Sequence, residues 1–188
     1  MQNEVEIRDL QTMSYSECWD LQRSLFDALC TKKLNKAFQE GEPRGTILIV
    51  EHPAVYTLGK SGHAENMLCS KEYLESLGAE FYHIDRGGDI TFHGPGQLVC
   101  YPIVDLDAIG LGVRRYIEAL EQTIIDLAAD YGIEARVKWT NDIYVGDKKA
   151  VGILIEHSYA AGKLARTIVG IGINVNQTDF PSDIPNPV

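Results

Sequence analysis

No stretch of this chain approaches the roughly 20 consecutive apolar residues that a membrane-spanning helix requires. The opening Met1-Gln2-Asn3-Glu4-Val5-Glu6 has neither the basic start nor the apolar core of a secretory leader. These absences set the expectation of a cytoplasmic protein with no membrane partner. Positive charge is also scarce, since 17 Lys and Arg face 27 Asp and Glu for a net charge of −10. A nucleic-acid binder needs a basic face to neutralise phosphates, so no nucleic-acid partner is expected. A local anion site remains compatible with that average. The cysteines Cys18, Cys30, Cys69 and Cys100 form no CxxC pair and no Cys/His zinc spacing, and read as reduced packing thiols. The histidines, His52, His63, His83, His93 and His157, lack metal-ligand spacing, so no metal is expected. There is no G-x-S-x-G elbow. Gly170-Ile171-Gly172 lacks the third glycine and following helix of a dinucleotide fingerprint.

What is present fits one well-cored domain over 1–188, with 45% hydrophobic and 23% charged residues. Val5 to Leu10 alternates like a short strand. Ser14, with Glu17 three residues on, forms a capping-box pattern for a helix from Tyr15 to about Phe38. Strands are expected at Thr46–Val50, Val55–Gly59, Phe81–Asp85 and Gln97–Leu106. A short helix is expected from Ser70 to Leu77 and a long amphipathic one from Val113 to Tyr131. The remainder reads as a meander, with Arg136–Val145 as one strand, Gly146-Asp147 as a turn, Lys149–His157 returning, and Ala161-Gly162 turning into Ala165–Val175. The expected architecture is α+β, a mixed and mostly antiparallel sheet with the two long helices on one face.

Three segments carry the chemistry. Arg86-Gly87-Gly88-Asp89-Ile90-Thr91-Phe92-His93-Gly94-Pro95-Gly96-Gln97 holds four glycines and a proline in twelve residues, which excludes a helix and reads as a loop rather than a core strand. Glycines let backbone approach a ligand, and Arg86 is suited to pair with a carboxylate or phosphate. His93 is the best-placed histidine, most simply as a brace for its own loop. The second segment is the hairpin with Asn141, Asp142, Lys148 and Lys149. Neighbouring lysines on a strand point to opposite faces, so at most one enters a pocket. Ala150, Val151 and Gly152 leave room beside Lys149, which suits it to clamp a carbonyl or phosphate or to act as a base. The third is Gly170-Ile171-Gly172-Ile173-Asn174-Val175-Asn176, where alternate glycines leave one strand face bare for a ligand or for a packed helix.

The residues from Arg86 to Gln97, with Tyr101-Pro102 beyond and Glu51-His52-Pro53-Ala54-Val55-Tyr56-Thr57-Leu58-Gly59 upstream, resemble the lipoyl(octanoyl) transferases of lipoate biosynthesis over roughly Val5 to Gly132. Arg136 to Tyr144, Lys149 to Leu154 and Gly170 to Asn176 are similar to the biotin protein ligases. Both families share one catalytic fold, and the two resemblances meet near 132–136. The resemblance implies a biotin/lipoate protein ligase-type catalytic domain. It further implies transfer of an octanoyl group from acyl carrier protein to a lysine of lipoyl domains, without a cofactor. Lys149 would be catalytic. Arg86, Gly87, Gly88, Asp89, Thr91, His93, Gly94, Gln97, Tyr101, Gly152, Gly170, Gly172 and Asn174 would form the acyl site. The alternative is an ATP- and magnesium-dependent biotin or lipoate ligase acting on biotin carboxyl carrier protein, with Asn141 and Asp142 at the adenylate. The transferases' nucleophilic cysteine lies in a Pro-Cys-Gly segment after the Asn-Val-Asn strand. Counting forward without gaps puts Val188 there, so a chain shortened at its C-terminus and lacking that thiol is expected, either with Cys100 as a substitute or as an inactive carrier-binding module. Arg114, Arg115 and Lys138 are candidates for docking acidic carrier domains.

Overall fold

The computed structural model describes residues 4–63, 67, 70–160 and 163–177. In chain order the elements are β1 (Glu6–Thr12), α1 (Tyr15–Leu34), β2 (Gly45–Glu51), β3 (Val55–Leu58), α2 (Lys71–Ser76), β4 (Glu80–His83) and β5 (Ile90–His93), then β6 (Gln97–Val104), α3 (Leu106–Ile109), α4 (Val113–Asp130), β7 (Ala135–Lys138), β8 (Asp142–Val145), β9 (Lys148–Ala160) and β10 (Lys163–Asn174). The expected turn at Ala161-Gly162 lies outside the described residues.

Seven strands form one sheet in the order β1-β2-β6-β10-β9-β8-β7, and three form a second in the order β4-β3-β5. The β1–β2 and β3–β4 pairs are parallel and all the others antiparallel. Each parallel pair is joined through a helix, α1 or α2, because a tight hairpin cannot connect parallel strands. The Ser14 half of the capping box is present at the start of α1, while the Glu17 carboxylate meets the Ser14 hydroxyl instead of its backbone amide. Ser14 Oγ accepts from the Glu17 amide at 3.3 Å and donates to the Glu17 carboxylate at 2.6 Å.

The register sorts the core into two halves. One row of directly paired residues runs Val50–Val99–Gly172–Gly152–Asp142 across five strands. The row beside it, Ile49–Cys100–Ile171–Ile153, faces the other way, as the two-residue period of a strand requires. α1 covers the first face, where Cys18, Leu48, Val50, Val99 and Tyr101 pack with Leu21 and Leu25. α4 covers the second, where Tyr116 and Ile124 pack against Ile143, Val151, Ile153, Val169 and Ile171. The two long helices therefore lie on opposite faces, not together on one. Helical spacing identifies an apolar stripe but carries no information about which side of a sheet receives it.

Three further boundaries differ from expectation. α1 ends at Leu34, which is 83% exposed, so the pattern out to Phe38 is not helical. Arg136–Val145 is two strands, β7 and β8, paired from Ala135↔Val145 to Lys138↔Asp142. The glycine-rich segment contains a strand, β5, because its glycines fall at 87, 88, 94 and 96 and leave Ile90-Thr91-Phe92-His93 free to pair with β3.

Leu48 has no exposed surface. Leu48→Ala is expected to lower the unfolding free energy by about 2–5 kcal/mol in urea denaturation. Ile7→Ala, at a residue 70% exposed, is expected to change it by no more than about 0.5 kcal/mol.

Candidate functional site

On the α1 face the row Val99–Gly172–Gly152–Asp142 has no side chains at its centre. A Cβ on Gly172 would lie 3.3 Å from the Gln97 side-chain oxygen, one on Gly170 would lie 3.4 Å from the Tyr101 ring, and one on Gly152 would lie 3.3 Å from Lys149 Cε. These three glycines floor a cavity of about 820 Å3, within the roughly 300–1,000 Å3 of small-molecule sites. Tyr15 and Trp19 of α1 form one wall, and Arg86, Gly88, Asp89, Thr91 and His93 form another.

Lys149 reaches this face through a bulge. The β8–β9 register steps from Ile143↔Val151 to Tyr144↔Lys149, leaving Ala150 without an opposite residue. In a regular ladder, with Ala150 paired in its turn, Lys149 would share the α4 side with Val151. Its ammonium instead lies 2.7 Å from Asp142 Oδ1, beside Gly152 and half exposed. Asn141 fixes the approach, since its side-chain amide donates to the Ile153 carbonyl and its own carbonyl accepts from the Ile153 amide.

Arg86 is not arranged as an anion clamp. Its guanidinium donates to the Thr57 carbonyl (2.8 Å), Thr57 Oγ1 (2.9 Å), the Gly87 carbonyl (2.7 Å) and the Asp89 carbonyl (2.8 Å). Those bonds fold the 86–89 turn onto β3. Gly59 allows the close approach, because a Cβ there would stand 2.4 Å from the Gly88 carbonyl oxygen. Asp89 in turn accepts from the His63 amide at 3.3 Å. Gly87 and Gly94 shape the segment without lining the cavity; Gly94 lies against the Phe92 ring and its carbonyl accepts from the Gln97 amide.

His93 braces, as expected, but through a chain that crosses strands. Its Nδ1 donates to Gln97 Oε1 at 2.6 Å, and Gln97 Nε2 donates to Asn174 Oδ1 at 2.9 Å. Burial pulls the ring down to about 4 from its ordinary 6.5. His52 completes the arrangement although its sequence position gave no hint. It is fully buried, its Nδ1 donates to the Met13 carbonyl (2.9 Å), and its Nε2 accepts from the Tyr101 hydroxyl (3.1 Å). Burial also lowers its basicity. Tyr15 stacks on His93 with centroids 6.3 Å apart and meets His52 edge-on at 5.4 Å. The available signal was the Tyr15/Trp19/Gln22 spacing on α1, a stripe with a polar member that a purely packed face would not need.

Cys100 does not reach the cavity. It pairs with Ile171 on the α4 face, and burial pushes its thiol up to about 11. Cys18 is packed under α1 with its thiol also near 11. Among the described residues no cysteine lines the cavity; Cys69 and Val188 lie outside them. Arg114 and Arg115 sit on α4, across the sheet, where Arg114 pairs with Glu118. Lys138 donates to the Tyr144 hydroxyl at 3.1 Å.

The neutral His93 makes stability depend on pH. The unfolded chain binds this proton near pH 6.5 and the folded chain only near 4, so the contribution is complete above 6.5 and is lost as pH falls toward 4. Urea titrations at about pH 7.5 and about pH 5 should show a loss of up to about 1.4 kcal/mol per pH unit from this group. His93→Phe should flatten that dependence.

Residues 14–178 match the family described as the lipoyl protein ligase A/B catalytic domain, a span that crosses 132–136. An octanoyltransferase of Bacteroides fragilis is 43% identical over 176 residues, covering 89% of this chain and 75% of that protein. One from Christiangramia forsetii is 45% identical over 137 residues, covering 72% of this chain and 58% of its own length. Among solved structures, a bipartite lipoate protein ligase from Thermoplasma acidophilum superposes with a TM-score of 0.61 at 16% identity, over 93% of this chain and 63% of that one. The recessed sheet face and the lysine at its edge thus belong to an acyltransferase chain, a member of the lipoyl protein ligase A/B catalytic domain family with octanoyltransferases among its relatives.

Proposed function

We propose that this chain moves an octanoyl group from acyl carrier protein to a lysine of lipoyl domains, a step of lipoate biosynthesis. The observation that carries the reading is the position of Lys149, held by Asp142 at one end of a cavity floored by Gly152, Gly170 and Gly172. A bare floor between aromatic walls takes an alkyl chain, and an ammonium at its end takes the acyl carbonyl.

Over the whole reaction the thioester C–S bond breaks and an amide C–N bond forms. The carrier leaves as a thiol, and the acceptor ammonium gives up two protons, one to that thiol and one to solvent. The developing negative charge on the carbonyl oxygen is stabilised by a donor already in place, and Lys149 is such a donor. Asp142 holds the ammonium in position. Tyr101 and His93 confine the chain, and the His93–Gln97–Asn174 bonds fix β5 against β6 and β10.

Incubating the chain with octanoyl-acyl carrier protein and apo lipoyl domain, with and without ATP, tests the reading by mass gain on the lipoyl domain. ATP-independent octanoylation is expected, and Lys149→Ala should reduce its rate by at least about 100-fold. Modification only with ATP, magnesium and free lipoate or biotin would replace the transferase by a ligase. Binding with no modification would leave an inactive carrier-binding module.

A further inference from the structure

A second cavity, of about 350 Å3, adjoins the first. It runs on along α1 past Phe26 and Leu29 to the end of β6 at Val104. The two cavities share Trp19, Gln22, Asp85, Ile168 and Val169 as lining residues. The boundary between them follows from the period of β10. Positions 172, 170 and 168 share one strand face, and they are Gly, Gly and Ile. The floor is therefore bare at two positions and rises at the third. From the opposite wall Trp19 comes down one helical turn after Tyr15, so an aliphatic and an aromatic side chain both line the place where the bare floor stops.

Building on the octanoyl-transfer reading, we propose that Ile168 and Trp19 form the end stop of the acyl cavity and set the length of chain accepted. An acyl group whose carbonyl sits at Lys149 lies over Gly152, Gly172 and Gly170 and ends against Ile168. The second cavity continues beyond these two side chains; Phe26, Leu29 and Ile103 give it an apolar side and Asp27, Lys33 and Asp105 a charged one, and a longer chain would run along the apolar side. Ile168 is 40% exposed, so trimming it leaves the packed core intact.

The test compares octanoyl- and dodecanoyl-acyl carrier protein as donors to apo lipoyl domain, and in parallel the binding of free octanoic and dodecanoic acid by calorimetry. The unaltered chain should favour the shorter chain in both measurements. Ile168→Ala and Trp19→Leu, made separately, should each raise the dodecanoyl-to-octanoyl ratio of kcat/KM and of affinity by at least about tenfold. Ile168→Val should move both ratios in the same direction by less. An unaltered chain indifferent to length, or ratios unmoved in both larger variants, overturns the end stop. A shifted binding preference without turnover in any chain removes the transferase reading while the end stop stands.

Discussion

The structure depends on the strict two-residue alternation of its central strands. β6, β10 and β9 present Cys100, Ile171 and Ile153 to α4 and Val99, Gly172 and Gly152 to the cavity. Because both sets belong to the same strands, the side that is filled positions the side that is empty. The buried isoleucines and valines under α4 hold the strands in place beneath a floor of glycines. A cavity cut into the face of a sheet would otherwise invite collapse, and here the opposite core and the α1 aromatics prevent it.

Around that floor the polar residues hold backbone rather than waiting for ligand. Arg86 ties one turn to β3, Asn141 ties the β7–β8 connection to β9, and the Gly96 carbonyl accepts from both Val175 and Asn176 just beyond β10. His52 and His93 are buried, lowered in basicity and bonded at Nδ1, which makes them geometric parts of the wall. The Lys149–Asp142 ion pair stands at one end of the cavity floor. The cavity thus combines a bare floor with a charged pair at one end.

Much of this was legible from residues alone. The Ser14/Glu17 pair announced the start of α1, the Arg86–Gln97 segment announced the cavity wall, and the alternate glycines of β10 announced a bare face. The parts that were not legible share a cause, which is that they are set by pairing rather than by local pattern. Which face receives α1 and which receives α4 depends on strand order. The partnership of His52 with Tyr101 joins residues 49 apart in the chain. Arg86 read as an anion ligand because nothing local reveals that Thr57 and three carbonyls surround it. The strand β5 was hidden by flanking glycines that lie outside its four residues.

The bulge at Ala150 has a consequence of a different kind. Lys149 and Gly152 are three positions apart, an odd spacing that a regular ladder places on opposite sides. Their meeting depends on one backbone irregularity, anchored by a small side chain in the α4 core. A regular pairing of the same residues would place this cation behind the sheet. The bulge that puts this cation on one face of the sheet is seated by a methyl group packed on the other.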